Sequence, residues 1–172
     1  MQRRLFIKQT SGMFGALLAF GPLAFAHPIN KDLKFSRLDK KDSEWKKLVS
    51  KPEYDILFEE GTEPPGSSPL NDVKTQGTFI CAACYLPLFE SETKYDSGTG
   101  WPSFYQPIAG RLGTKLDLKL IWPRTEYHCA RCGGHQGHVF EDGPEPTGLR
   151  YCNNGLALKF VPVDTPLPEL RG

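Results

Sequence analysis

The chain has 172 residues, 21 basic against 20 acidic side chains, and a formal net charge of +1. This near-balance, with no dense basic patch, argues against nucleic acid as a partner. The length suits one domain with its own core.

Taken in chain order, residues 1–26 read as an export signal. Arg3-Arg4 opens a basic region, Gly12 to Ala26 carries no charge, and Ala24-Phe25-Ala26 has the small-x-small pattern of a cleavage site. The apolar run of 15 residues is short of the roughly 20 that span a membrane. Arg3-Arg4-Leu5-Phe6-Ile7-Lys8 looks like a twin-arginine motif, which implies export of a folded protein to the periplasm. An ordinary secretory signal and an uncleaved anchor are the alternatives. Cleavage after Ala26 leaves residues 27–172, with 18 basic and 20 acidic side chains and no further apolar span.

Residues 27–41 read as an extended lead-in. A short helix is predicted over Asp42–Leu48, with Trp45 and Leu48 on one face. Ser50-Lys51-Pro52-Glu53 reads as a capping box that starts a second helix through Tyr54, Leu57 and Phe58, ending at Gly61. Glu63 to Leu70, with three prolines and Gly66-Ser67-Ser68, reads as loop. From Thr78 the pattern turns to strands. Thr78-Phe79-Ile80 is one. Leu116, Leu118, Leu120 and Trp122 alternate as another, and Arg124 to His128 resumes after Pro123. Gly148 to Cys152 and the alternation Leu156, Leu158, Phe160 give two more. Asp96–Gly100 and Glu141–Pro144 read as turns. The sum is a mainly β, antiparallel domain with short helices at its front.

Five cysteines separate into two groups. Cys81 and Cys84, and Cys129 and Cys132, form two Cys-x-x-Cys pairs with 44 residues between them. Two such turns can supply four thiolates to one tetrahedral zinc, at about 2.3 Å per bond. Metal loaded before export would protect them from oxidation. The alternatives are two disulfides, two unrelated buried pairs, or a site of Cys129, Cys132, His135 and His138.

The fifth, Cys152, is unpaired and sits in Arg150-Tyr151-Cys152-Asn153-Asn154. Arg150 and Asn154 flank it at two-residue spacing, the first as a positive charge and the second as an amide donor. His135 and His138 lie in a segment rich in glycine, read as a loop, and suit proton delivery. Cys152 as a small buried hydrophobe, the histidines as structural residues, and Trp101 as ordinary core are the alternatives. Trp101, flanked by Gly100 and Pro102, can otherwise wall a pocket for a small apolar group.

These stretches, in order, closely resemble the methionine sulfoxide reductase B family over about 42–162. The matching runs are Gly77–Cys84, Pro87–Phe89, Thr93–Gly98, Gly100–Phe104, Gly137–Phe140 and Gly148–Asn154. The resemblance implies a fold of two antiparallel sheets with a structural zinc, and reduction of the R epimer of methionine sulfoxide, free or in oxidised proteins. It makes Cys152 the nucleophile. His135, His138 and Asn154 bind and protonate the sulfoxide oxygen, Arg150 supports the thiolate, and Trp101 and Phe140 hold the substrate. Many members carry a second cysteine where this chain has Thr99, so an external thiol reductant is expected, and nothing suggests an obligate partner subunit. Gly155, often serine in the family, is expected to matter little. The loop Glu63–Ser68 also departs from the usual form. Two other functions fit parts of the sequence: a non-enzymatic zinc-bearing binding module, and a thiol–disulfide exchanger that works through the Cys-x-x-Cys pairs.

Overall fold

The computed structural model describes residues 33–119 and 122–172. The proposed signal, the start of the lead-in, and Leu120 and Ile121 lie outside the described residues.

Two short helices open the fold, α1 (Asp42–Leu48) and α2 (Lys51–Leu57). The capping box forms as expected: Ser50 N donates to Glu53 Oε2 at 2.8 Å, and Ser50 Oγ accepts from Glu53 N at 3.4 Å. Helix α2 stops before Gly61. Trp45, Tyr54, Ile56 and Leu57 bury their faces against the domain. The Glu63–Leu70 segment is irregular, except that a 3₁₀ turn begins at Pro69.

Among the described residues, nine strands form two antiparallel sheets. The first pairs β1 (Gly77–Cys81) between β2 (Pro87–Glu90) and β9 (Leu158–Pro162). The second has six strands in the order β3 (Lys94–Tyr95), β4 (Ser103–Phe104), β8 (Arg150–Asn153), β7 (His135–Phe140), β6 (Arg124–Cys129) and β5 (Leu112–Asp117). An aromatic cluster fills the core: Phe89 stacks on Phe104 at 4.1 Å, and Phe79 meets Phe104 edge-on at 4.9 Å. No helix among the described residues is long and apolar enough to cross a membrane.

Three expectations are corrected. The strand predicted across 116–122 is β5, and it ends at Asp117. Leu116, Leu118 and Trp122 are 65%, 66% and 79% exposed, while Asp117 is buried. β5 is an edge strand, and at its end Asp117 turns inward while Leu116 turns out to solvent. The segment holding His135 and His138 is strand β7, not loop. Its Gly137 is there for a close approach rather than flexibility: a Cβ at that position would lie 1.9 Å from the Cys152 carbonyl oxygen. Finally, the alternation from Leu156 begins as a 3₁₀ turn over Gly155–Ala157, and only then becomes β9.

Candidate active site and metal centre

The four paired cysteines converge. Cys81 closes β1 and Cys129 closes β6, and each begins a tight turn that returns its second cysteine to the same point. All four Sγ atoms lie within 4.8 Å of one another. Cys81 to Cys132 and Cys84 to Cys129 are each 3.6 Å. That is far beyond a disulfide bond of about 2.05 Å, and it is close to the roughly 3.8 Å edge of a tetrahedron with 2.3 Å zinc–sulfur bonds. Burial drives the Cys81 thiol well up, whereas hydrogen bonds from Cys129, Cys132 and Cys81 pull Cys84 down. As four thiolates so closely packed the sulfurs would need a counter-charge, and a divalent ion fits the donor set and the spacing. The alternative set with His135 and His138 is not assembled: the metal-competent group contains the four cysteines and neither histidine.

Cys152 lies elsewhere, in a cavity of about 130 Å³ lined by Thr62, Trp101, Arg124, His138, Phe140 and Asn154 among others. Strand pairing places it. Cys152 is directly opposite His138 on β7 and Ser103 on β4, so the His138 and Cys152 side chains share one face. Burial pushes the Cys152 thiol up. The Arg150 charge and hydrogen bonding from Thr99 and Arg150 oppose that shift. Arg150 is held by a two-point contact to Asp142, Nε to Oδ1 and Nη2 to Oδ2, each 2.8 Å. Its guanidinium also covers the Phe140 ring at 4.3 Å.

His138 Nε2 lies 2.8 Å from Asp117 Oδ2. His135 stands behind it, buried, with ring centroids 5.4 Å apart and Nδ1 3.1 Å from Glu126 Oε1. Burial holds both histidines below the ordinary imidazole value, against the pull of those carboxylates. His135 and Arg150 are not lining residues of the cavity, whereas Trp101, His138, Phe140, Cys152 and Asn154 all are.

Asn154 is more constrained than a free donor. Its Oδ1 accepts from Glu63 N at 3.1 Å, and its Nδ2 donates to the Gln136 carbonyl at 3.1 Å. Glu63 in turn joins several parts of the site. Its carbonyl accepts the Trp101 indole N–H at 3.1 Å, and its buried carboxylate accepts Gly155 N at 2.5 Å and Leu156 N at 2.9 Å. Sequence reasoning missed Glu63, Asp117, Glu126 and Asp142. Each is an acid whose site partner stands well away from it in sequence, and no local pattern signals that. Asn153 enters the sequence reading only as the neighbour of Cys152. It is fully buried and accepts the Tyr127 hydroxyl at 2.8 Å.

The SelR domain model matches residues 49–162. A peptide methionine sulfoxide reductase MsrB of Leptospira interrogans is 50% identical over 124 residues, 72% of this chain and 95% of that protein. A protein of the same name from Agrobacterium fabrum is 47% identical over 133 residues, 77% of this chain and 98% of the relative. The chloroplastic peptide methionine sulfoxide reductase B1 of rice is 52% identical over 120 residues, 69% of this chain. The matched part spans 56% of that rice protein and 59% of its Arabidopsis thaliana counterpart. With the SelR match covering most of its length and these identities extending across nearly all of two bacterial relatives, the chain belongs to the methionine sulfoxide reductase B family.

Proposed function

We propose that this protein reduces the R epimer of methionine sulfoxide, free or within oxidised proteins, with Cys152 as nucleophile. The observation that carries the reading is one cavity holding the Cys152 sulfur, a histidine directly across the strand pair, and an anchored indole. Its volume of about 130 Å³ suits a single side chain. A sulfoxide sulfur bears an oxygen, a methyl, a chain and a lone pair. The methyl rests on Trp101, the oxygen turns toward His138, and the chain leaves through the mouth. Holding oxygen, methyl and chain in set directions while Cys152 approaches from one side admits one epimer.

In the first step the Cys152 sulfur attacks the sulfoxide sulfur and forms a sulfur–sulfur bond, while the oxygen takes up the proton that began on the thiol. The hydroxyl then passes to the Cys152 sulfur, the substrate's sulfur–oxygen bond and the new sulfur–sulfur bond both break, and methionine leaves Cys152 as a sulfenic acid. Cys152 is oxidised by two electrons and the substrate is reduced by two. An external thiol then displaces water from the sulfenic acid to give a mixed disulfide. A second thiol releases Cys152 and departs as a disulfide. An external reductant is favoured because the other four thiols are buried in one cluster and Thr99 stands where a resolving cysteine is common. The same burial disfavours a thiol–disulfide exchanger. Zinc is the ion we assign to Cys81, Cys84, Cys129 and Cys132, where it ties the two sheets together and takes no part in the chemistry. The Arg3-Arg4 leader supports export to the periplasm with no stable membrane insertion, where the protein acts as a monomer on this reading.

The test is turnover of separated R and S epimers with excess dithiol, for wild type and Cys152→Ser, and mass spectrometry after one turnover. Turnover of R alone, lost by at least about 10³-fold in the variant, with a sulfenic acid and no internal disulfide on Cys152, is expected. A folded, zinc-loaded wild type without turnover makes this a binding module. A Cys152 disulfide to another cysteine of the chain sinks the external-thiol step.

A further inference from the structure

Asp117 is a buried carboxylate, and two of its partners, Arg124 and His138, line the Cys152 cavity. It ends β5 with its side chain turned inward, 7% exposed, where the neighbouring leucines turn out. Oδ1 accepts the Lys119 backbone N–H at 2.9 Å. Oδ2 receives both Arg124 Nη2 at 2.7 Å and His138 Nε2 at 2.8 Å. The backbone bond from Lys119, the His138 contact and Arg124 hold this carboxyl well below the usual carboxylate range, so it is ionised at any working pH.

An ionised carboxylate has no hydrogen to give. The hydrogen between Asp117 and His138 therefore belongs to Nε2, and that fixes the tautomer. Nδ1 is the nitrogen left for the cavity. In the neutral ring Nδ1 is an acceptor, and a sulfoxide oxygen is also an acceptor, so the two repel. In the imidazolium ring Nδ1 donates, and the Asp117 charge opposite supports that form.

We propose that Asp117 is a positioning residue for the reductase step: it locks His138 as the Nε2–H tautomer and sustains the imidazolium that delivers a proton from Nδ1 to the sulfoxide oxygen. This rests on the reductase reading above. The protons balance. His138, directly opposite Cys152, takes the thiol proton to leave thiolate and imidazolium. As the Cys152 sulfur attacks, the imidazolium returns that proton to the oxygen, which finishes on Cys152 as the sulfenic hydroxyl, and the ring is neutral again.

The pH dependence follows from the groups around His138. Asp117 faces it from β5, Arg124 and Glu126 from β6, His135 from its own strand, and Cys152 from β8. Cys152 lies above its ordinary value and His138 below, so the thiolate–imidazolium form is a minor one. In that order of titration the acid limb of the rate profile belongs to His138. Removing the Asp117 charge lowers the His138 pKa further. The acid limb must then move to lower pH, and the plateau must fall by the same factor.

The experiment compares wild type and Asp117→Asn, zinc-loaded, in single turnover without reductant, reading methionine released per chain from pH 5 to 10. A ¹⁵N spectrum of the histidine rings in wild type is recorded alongside. The expected result is a fall of about 10²-fold or more, an acid limb displaced downward, and an Nε2–H ring for His138 in wild type. A variant within threefold of wild type with an unmoved profile overturns the proposal, and so does an Nδ1–H ring in wild type. If Asp117→Asn does not fold, the tautomer still decides. A folded wild type that releases no methionine takes down the reductase reading and this proposal with it, whereas an active wild type with an unchanged variant removes only Asp117.

Discussion

Gly155 and Ser68 stand 87 positions apart in the chain yet fill one space. A Cβ at Gly155 would lie 1.9 Å from Ser68 Oγ and 2.5 Å from Ser68 Cβ. Ser68 is buried, and its hydroxyl accepts the Leu70 N–H at 3.1 Å, so it has little room to give. The substitution at 155 was expected to matter little, but the structure makes it one half of a pair with the divergent 63–68 loop. Gly155→Ser should destabilise the fold by about 1–3 kcal/mol through overpacking. Adding Ser68→Gly should recover most of that, a non-additive pair. Urea denaturation of the four proteins in the cycle measures it. A Gly155→Ser protein within about 0.5 kcal/mol of wild type refutes the pairing. The same two glycine-adjacent amides, Gly155 and Leu156, bind the Glu63 carboxylate, so the clash is felt one step from Asn154 and Trp101.

At the scale of elements, strand β7 carries more of the site than any other segment, and it was the one least visible as a strand. Gly133-Gly134 just before it and Gly137 within it suggest loop, yet Gly133 forms the turn at φ +75° while Gly137 lets β8 come close. Gly137→Ala should push β8 away and carry Cys152 with it. A shift of about 1 Å at a reacting atom can cost around 10²-fold, so turnover should fall by at least tenfold while zinc content and far-ultraviolet dichroism stay at wild-type values. Retained turnover would show that the close approach is not functional. The contrast with other elements explains what a sequence can carry. The Ser50–Glu53 box and the Cys-x-x-Cys turns are local patterns, complete within four residues, and each formed as read. The family motifs similarly placed Cys152, His138 and Trp101 around one cavity. The direction of β5 was not readable, because which face of an edge strand is covered depends on Arg124 and His138, residues outside it. Acids such as Glu63 and Asp117 look like solvated charges until their partners are known.

Across the whole molecule, the four-cysteine cluster joins the end of β1 in the smaller sheet to the end of β6 in the larger. Three residues beyond Cys132, His135 begins β7, so the same turn that supplies two thiolates also starts the strand bearing both histidines. Gln136 Nε2 reaches back to Cys81 Sγ at 3.6 Å. Arg171 closes the far side, donating Nε to the Ala83 carbonyl at 2.7 Å and Nη2 to the Ala82 carbonyl at 2.6 Å. A structural zinc of this type contributes on the order of 10 kcal/mol to folding, comparable to the whole stability of a domain. The sulfurs are thereby sorted by access: four are buried in the cluster and Cys152 alone is partly open. Iodoacetamide should label one sulfur per zinc-loaded native chain, at Cys152, and five after chelator and denaturant, counted by mass. More than one native label contradicts the sorting. A chain with a single reachable sulfur carries its own standard. The moles of label taken up give the number of chains still in the reduced state, so specific activity can be expressed per competent molecule rather than per milligram, even in a preparation that has partly oxidised on storage.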